Sequence, residues 1–256
     1  MKFSRASLLA GAVALLLSTS AFAASVSVLS THLSGTTGSP SFQVTGVFRF
    51  DLTNVGGLTS LDSITLTGNN TGGAPGRFTG FDLDAIVLSH TLISNASGAP
   101  GLTTLNVFDY SSVGTNLTPG TLRSSVHNDT QLFGTLAGSN NTLIDNSVAR
   151  IGIFDAVSTT STPDLTPGSL PYADGYVSIG DGGVLKFTFS SPVSITSPIY
   201  LYIGEAGNNT ETVSTSVVVS GSSGGGNTVP LPTAMVSGLG LIGALGLGSK
   251  VLRRKA

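Results

Sequence analysis

The chain has 256 residues, 40% of them hydrophobic and only 9% charged, with no cysteine and a formal net charge of −2. That is long and apolar enough for one large or two small domains with a real core, and it excludes a disulfide-stapled miniature scaffold and a cysteine-ligated zinc or iron–sulfur centre. Six of the 11 basic residues lie in the two end segments, which leaves five against all 13 acids and a central body at −8, so the basic face that nucleic-acid binding requires is missing.

Ser, Thr, Asn and Gly supply the polarity that charged residues supply in most soluble domains. Exposed strands and loops carry such side chains, whereas surface helices favour Lys, Glu, Arg and Gln. The composition therefore predicts an all-β protein.

Residues 1–23 read as a signal peptide. Lys2 and Arg5 form the charged start, Leu8 to Leu17 the apolar centre, and Ala21-Phe22-Ala23 the small-x-small site, with cleavage between Ala23 and Ala24. An apolar stretch of about ten residues is short for the roughly 20 that span a bilayer, which favours a cleaved signal over a retained anchor.

Residues 24–219 then show period-two alternation, one face apolar and one polar, from Ser25-Val26-Ser27-Val28 through Phe42 to Leu52. Further strands are predicted at Leu61–Thr67, Arg77–Ile93, Leu102–Tyr110, Ser147–Ala156, Tyr176–Ile179, Val184–Ser190, Ile199–Ile203 and Glu211–Val219. Gly, Asn and Pro clusters punctuate them. The richest, Asn69 to Gly76, lacks the Gly-Lys-Ser/Thr ending of a phosphate loop and precedes no helix, so it reads as a surface turn. Leu185, Phe187 and Phe189 share one strand face, and Ile199, Leu201 and Ile203 another, which predicts an antiparallel pair across Pro192 and Pro198. About ten short strands without an amphipathic helix point to a single β-sandwich of the jelly-roll kind. Asn106 to Asp145 is the least regular part.

Candidate chemistry is sparse. His32, His90 and His127 have no paired spacing, and the abundant serines give no basis for choosing a Ser-His-Asp set. Asp82 and Asp84 fall on one strand face, where two carboxylates repel unless solvated or bridged by a cation such as calcium, which takes six to eight oxygens; Asp174 and Asp181 in Gly-containing loops are a second possible calcium pair, with Glu205 near in sequence to a strand end. Exposed acids that keep a weakly charged domain soluble are the simpler reading. Tyr172, Tyr176, Tyr200 and Tyr202 form a sugar-binding candidate, because aromatic planes stack on pyranose rings.

Residues 220–228, Ser-Gly-Ser-Ser-Gly-Gly-Gly-Asn-Thr, read as a flexible linker. Residues 229–256 follow: Val229-Pro230-Leu231-Pro232, an uncharged apolar run from Thr233 to Ser249, and Arg253-Arg254-Lys255. The prolines set a boundary. The run is about 25 Å long as a helix, short for a membrane core but extended by Val251, Leu252 and a snorkelling Lys250, with the basic end held at the cytoplasmic side.

This three-part tail resembles the PEP-CTERM sorting signal of Gram-negative bacteria, with Leu231 where the name-giving Glu of that family stands. The resemblance implies signal peptidase and an exosortase as processing partners, transient residence in the inner membrane, and delivery to the cell surface or the extracellular polymer. Gly80-Phe81-Asp82-Leu83-Asp84-Ala85-Ile86 and Gly175 to Gly183 also look like the variable domains that precede such tails. The resulting expectation is a non-enzymatic exported surface or matrix protein without a required cofactor. A secreted carbohydrate-binding module of the exopolysaccharide layer is the alternative, and a secreted hydrolase the third reading.

Overall fold

The computed structural model describes residues 23–39, 43–69, 72–154, 175–208, 211–212 and 216–223. The expected tail elements Val229 to Pro232 and Arg253 to Lys255, the expected transmembrane run between them, Tyr172 and Asp174 lie outside these residues, as does nearly all of the expected signal peptide. Among the described residues no helix is long and apolar enough to cross a membrane.

The body is all-β and antiparallel. Its strands are β1 (Ala23–His32), β2 (Thr37–Ser39), β3 (Gln43–Asp51), β4 (Ser60–Thr67), β5 (Asp82–Ser89), β6 (Thr115–Thr118), β7 (Val177–Ser178), β8 (Val184–Ser194), β9 (Tyr200–Ala206) and β10 (Ser216–Ser222). They form one curled sheet in the order β6-β8-β4-β10-β1-β3-β9-β5-β7, with β2 added on β3. The curl turns on β1. Its first part pairs with β10 from Ala23↔Ser222 to Leu29↔Ser216, and its last residues pair with β3 from Ser30↔Phe50 to His32↔Phe48.

The two halves close on a shared apolar core. Leu61, Ile64, Leu66, Leu185, Phe187, Val217 and Val219 from one half meet Phe48, Phe50, Ile86, Leu88, Leu201 and Ile203 from the other. Alternation decides which side chains point in: β8 buries Leu185, Phe187 and Phe189 while Lys186, Thr188 and Ser190 face solvent. Between β5 and β6, single bridges Leu88↔Leu105 and Phe108↔Phe189 tie the two halves together across the open side of the curl.

Several sequence expectations are corrected. β8 does not pair with β9; β8 lies between β4 and β6, and β9 between β3 and β5. The connection through Pro198 carries the chain from one half to the other, so the two apolar faces meet through the core rather than side by side. The stretch Arg77–Ile93 holds a short 3-10 turn (Gly76–Phe78) before β5, because Gly80, at φ +82°, packs its backbone on that of Gly180 and breaks the extended run. Leu102–Tyr110 makes only isolated bridges, and the described part of Ser147–Ala156 is a turn that delivers the Ile151 carbonyl to the Ile86 N–H, at the bulge between Leu83 and Ile86. β10 continues to Ser222, three residues into the expected linker. A Cβ on Gly221 would lie 1.8 Å from the Ser60 carbonyl oxygen, so this glycine serves close strand packing.

β1 begins and β10 finishes at the same end of the body. At the opposite, far end, Asn69 donates its N–H to Thr212, and Gly68 donates to Gly183. β4, β6 and β8 run between the two ends, which places the loops around 72–80, 120–129 and 179–183 at the far end.

Candidate functional site

The far end holds both unusual features of the molecule, a knot of buried carboxylates and a groove. The knot draws on five separate pieces of chain. Asp82 opens β5, Glu205 lies near the end of β9, Glu211 precedes β10, Asp181 sits in the turn between β7 and β8, and Arg123 lies after β6. Asp82, Glu205 and Glu211 are 3%, 1% and 2% exposed. Ionised carboxylates at such burial need partners.

Each has one. Ser178, directly across the β5–β7 pair, donates its hydroxyl to Asp82. The Asp82 backbone and the Glu205 side chain favour the charged form of Glu211, against its burial. Arg123 forms an ion pair with Asp181 at 3.1 Å, lies 3.9 Å from Glu211, and donates to the Gly72 carbonyl at 2.7 Å. Gly73, at φ +66°, leaves the space that the Glu211 carboxyl occupies, since a Cβ there would overlap it.

One guanidinium does not balance these acids, and their titration reflects that. Burial, then the charge of Glu211, raises Asp82 well above the ordinary carboxylate range, against the Ser178 hydrogen bond. Burial likewise raises Glu211 to about 7, with Arg123 opposing and Asp181 adding to the rise.

The groove, about 650 Å³, runs between residues 74–78 and 124–129 and is lined by Pro75, Phe78, Val126 and His127 with the Arg77–Asp129 pair. Arg77 meets Asp129 at 3.2 Å through Nε, and the Ser125 hydroxyl donates to the same carboxylate at 2.8 Å. Burial works against the Asp129 charge, but Ser125, the Arg77 backbone N–H and the guanidinium together hold its carboxyl below the usual range. Its cation is thus already neutralised, and the groove is mainly an apolar trough with a polar rim.

The sequence candidates are only partly assembled. Asp82 and Asp84 are buried rather than exposed, because β5 is covered on both faces. Asp84 takes the Thr45 hydroxyl at 2.9 Å, Asp82 that of Ser178, and Asp181 the Arg123 guanidinium. Among the described residues no group of three or more His, Asp or Glu is arranged to hold a metal ion. Asp82, Asp84 and Asp181 thus each give an oxygen to a hydroxyl or guanidinium within the fold, and Asp174, the fourth member of the expected set, lies outside the described residues.

The tyrosine face is corrected as well. Tyr176 packs with Phe78 and Phe133, and Tyr202 is fully buried, donating to the Thr91 carbonyl at 2.8 Å and accepting from the Ile93 N–H at 3.0 Å. Only Tyr200 of the described three is half-exposed. Neither buried ring can stack on a sugar.

Sequence reasoning missed Glu211 and Arg123. One signal was present: Glu205 and Glu211 are the only glutamates in the chain, six residues apart. The geometry defines an all-β protein with a curled antiparallel sheet and a charged, grooved end opposite its terminal strands. No protein-family model, curated protein or solved structure matches the chain.

Proposed function

We propose that the protein is a non-enzymatic exported surface or matrix protein of a Gram-negative bacterium, carried as a β-sandwich body between a cleaved signal peptide and an exosortase-recognised tail. The observation that supports this reading is the pairing of β1 with β10: the body closes on itself between the signal and the tail, and both meet it at one end. Signal peptidase and an exosortase are then the processing partners, acting on Ala23-Ala24 and on Val229 to Pro232, with Arg253 to Lys255 holding the tail at the inner membrane until it is processed. A tether at that end leaves the far end, with its groove, facing outward.

The groove favours a second reading, a carbohydrate-binding module of the exopolysaccharide layer. Phe78 supplies an aromatic wall, and His127, Ser124 and Ser125 supply hydroxyl and imidazole groups at the rim.

Fractionation of the full chain in hosts with and without an exosortase tests the first reading. Surface or extracellular product is expected only in the host that has the enzyme, with membrane-retained precursor in the other. Equal release from both sinks the sorting reading. Retention on an exopolysaccharide column, lost in Phe78→Ala, marks the second reading, and free passage of the intact protein removes it.

A further inference from the structure

Hydrogen bonds between antiparallel strands lie across the strand axis, so their response to a pull depends on its direction: a pull across the seam breaks them one after another, and a pull along the strand loads them together. β10 is gripped on both edges. It pairs with β1 from Ala23↔Ser222 to Leu29↔Ser216 and with β4 from Val218↔Thr65 to Ser220↔Ser63. Val217 and Val219 are fully buried in the shared core, and Gly221 lies so close to β4 that a Cβ there would meet the Ser60 carbonyl oxygen at 1.8 Å. Thr59 closes the strand, donating its N–H at 2.9 Å and its hydroxyl at 3.1 Å to the Ser222 carbonyl.

We propose that the body has a strong and a weak mechanical axis, with β10 carrying tension from the far end to the chain that follows Ser223. The strong axis is independent of how that chain is sorted. β10 runs from the far end toward the end where β1 begins, so tension between the groove and the residues beyond 223 acts along it. Sliding β10 must then shear its bonds to β1 and β4 together and draw Val217 and Val219 out of the core. The weak axis lies between the two ends of the chain. β1 starts beside the finish of β10, and drawing the two apart strains Ala23↔Ser222 first and each following pair only after it.

The groove is coupled to this axis by the chain itself. Its wall at residues 74–78 follows β4 directly, so a pull there enters the strand that flanks β10. Asn69, just past β4, donates its N–H to the Thr212 carbonyl at 3.1 Å and its amide to the Thr212 hydroxyl at 2.5 Å, which ties the approach to β10 to its neighbour. Arg123 joins the second wall to the first: it donates to the Gly72 carbonyl at 2.7 Å, and its own carbonyl accepts from the Gly76 N–H. Removal of residues 1–23, as in the sorting reading, leaves the weak axis without a handle. What remains is a body held at one end and loaded at the other.

The chain has no cysteine, so thiol handles attach only where they are placed. Full-length chains carrying Ala74→Cys, at an exposed position of the groove wall, with Ala256→Cys load the strong axis, and chains carrying Lys2→Cys with Ala256→Cys load the weak one. Both are pulled to rupture at the same speed in an optical trap. The first rupture force is expected to be at least about threefold higher on the strong axis, where the bonds of β10 are loaded together. Equal forces, or a higher force between residues 2 and 256, overturn the proposal. Should Ala74→Cys fail to fold, Val126→Cys, on the facing wall at a residue 91% exposed, takes its place under the same criterion.

Discussion

The two halves of the curled sheet obey the same alternation and use it differently. In the half built from β6, β8, β4, β10 and the start of β1, one face packs the core and the other meets water, so β8 reads as buried and exposed residues in turn. In the half built from β3, β9, β5 and β7, the outer face is covered too: Leu33, Val47, Val87, Ala96, Ala99 and Tyr202 form a second apolar layer, and all eight residues of β5 are buried. A polar residue on an outward position is therefore a solvated hydroxyl in the first half and an interior group that needs a partner in the second. That difference explains why the buried acids Asp82 and Asp84 and the buried Tyr202 belong to the second half.

The largest test of the comparison addresses what the halves share. Phe187→Ala removes a fully buried ring where both halves meet, and a loss of about 3–5 kcal/mol is expected in denaturant unfolding. A small loss would show that the halves are stabilised separately.

The next concerns pH. Glu211 has its folded value raised to about 7 from an ordinary 4.5, so the folded state holds the proton more tightly than the unfolded chain does. Its contribution is complete below about 4.5 and is lost as pH rises through about 7. Asp82 is shifted the same way and adds to the trend. Unfolding free energy should accordingly be lower at pH 8 than at pH 5, and Asp82→Asn should reduce that difference. Stability that climbs across this range would show that the knot is solvated.

Two smaller substitutions separate the outer faces directly. Tyr202→Phe, in the covered half, leaves the Ile93 N–H and the Thr91 carbonyl without their phenol partner at a loss of about 1–3 kcal/mol. Thr188→Ala, at an exposed position of the open half, should stay within about 0.5 kcal/mol of the native chain. Equal effects would erase the distinction between the two faces.

The same distinction governs how much was legible in the sequence. Val184–Ser190 was readable because one of its faces is wet, and its predicted core residues Leu185, Phe187 and Phe189 are buried as expected. Asp82 and Asp84 were misread because a period of two says which residues share a face, and nothing about whether loops cover that face. β6 went unseen because Thr-Asn-Leu-Thr has one apolar residue to mark it. The carboxylate knot was out of reach for a different reason: its members come from positions 82 to 211, and only the topology of the sheet brings them together.

The pairing of the first strand with the last has a kinetic consequence. Ser25 and Ser220, whose hydroxyls lie 2.7 Å apart, are separated by 195 positions in the chain, and their strands occupy the middle of the sheet rather than its margin. Contacts that span so much chain close late and slowly. While the chain is being made, β1 has no β10 to bind, and the curl around it cannot complete. The curl therefore cannot close until residues 216–222 are available, a delay written into the strand order.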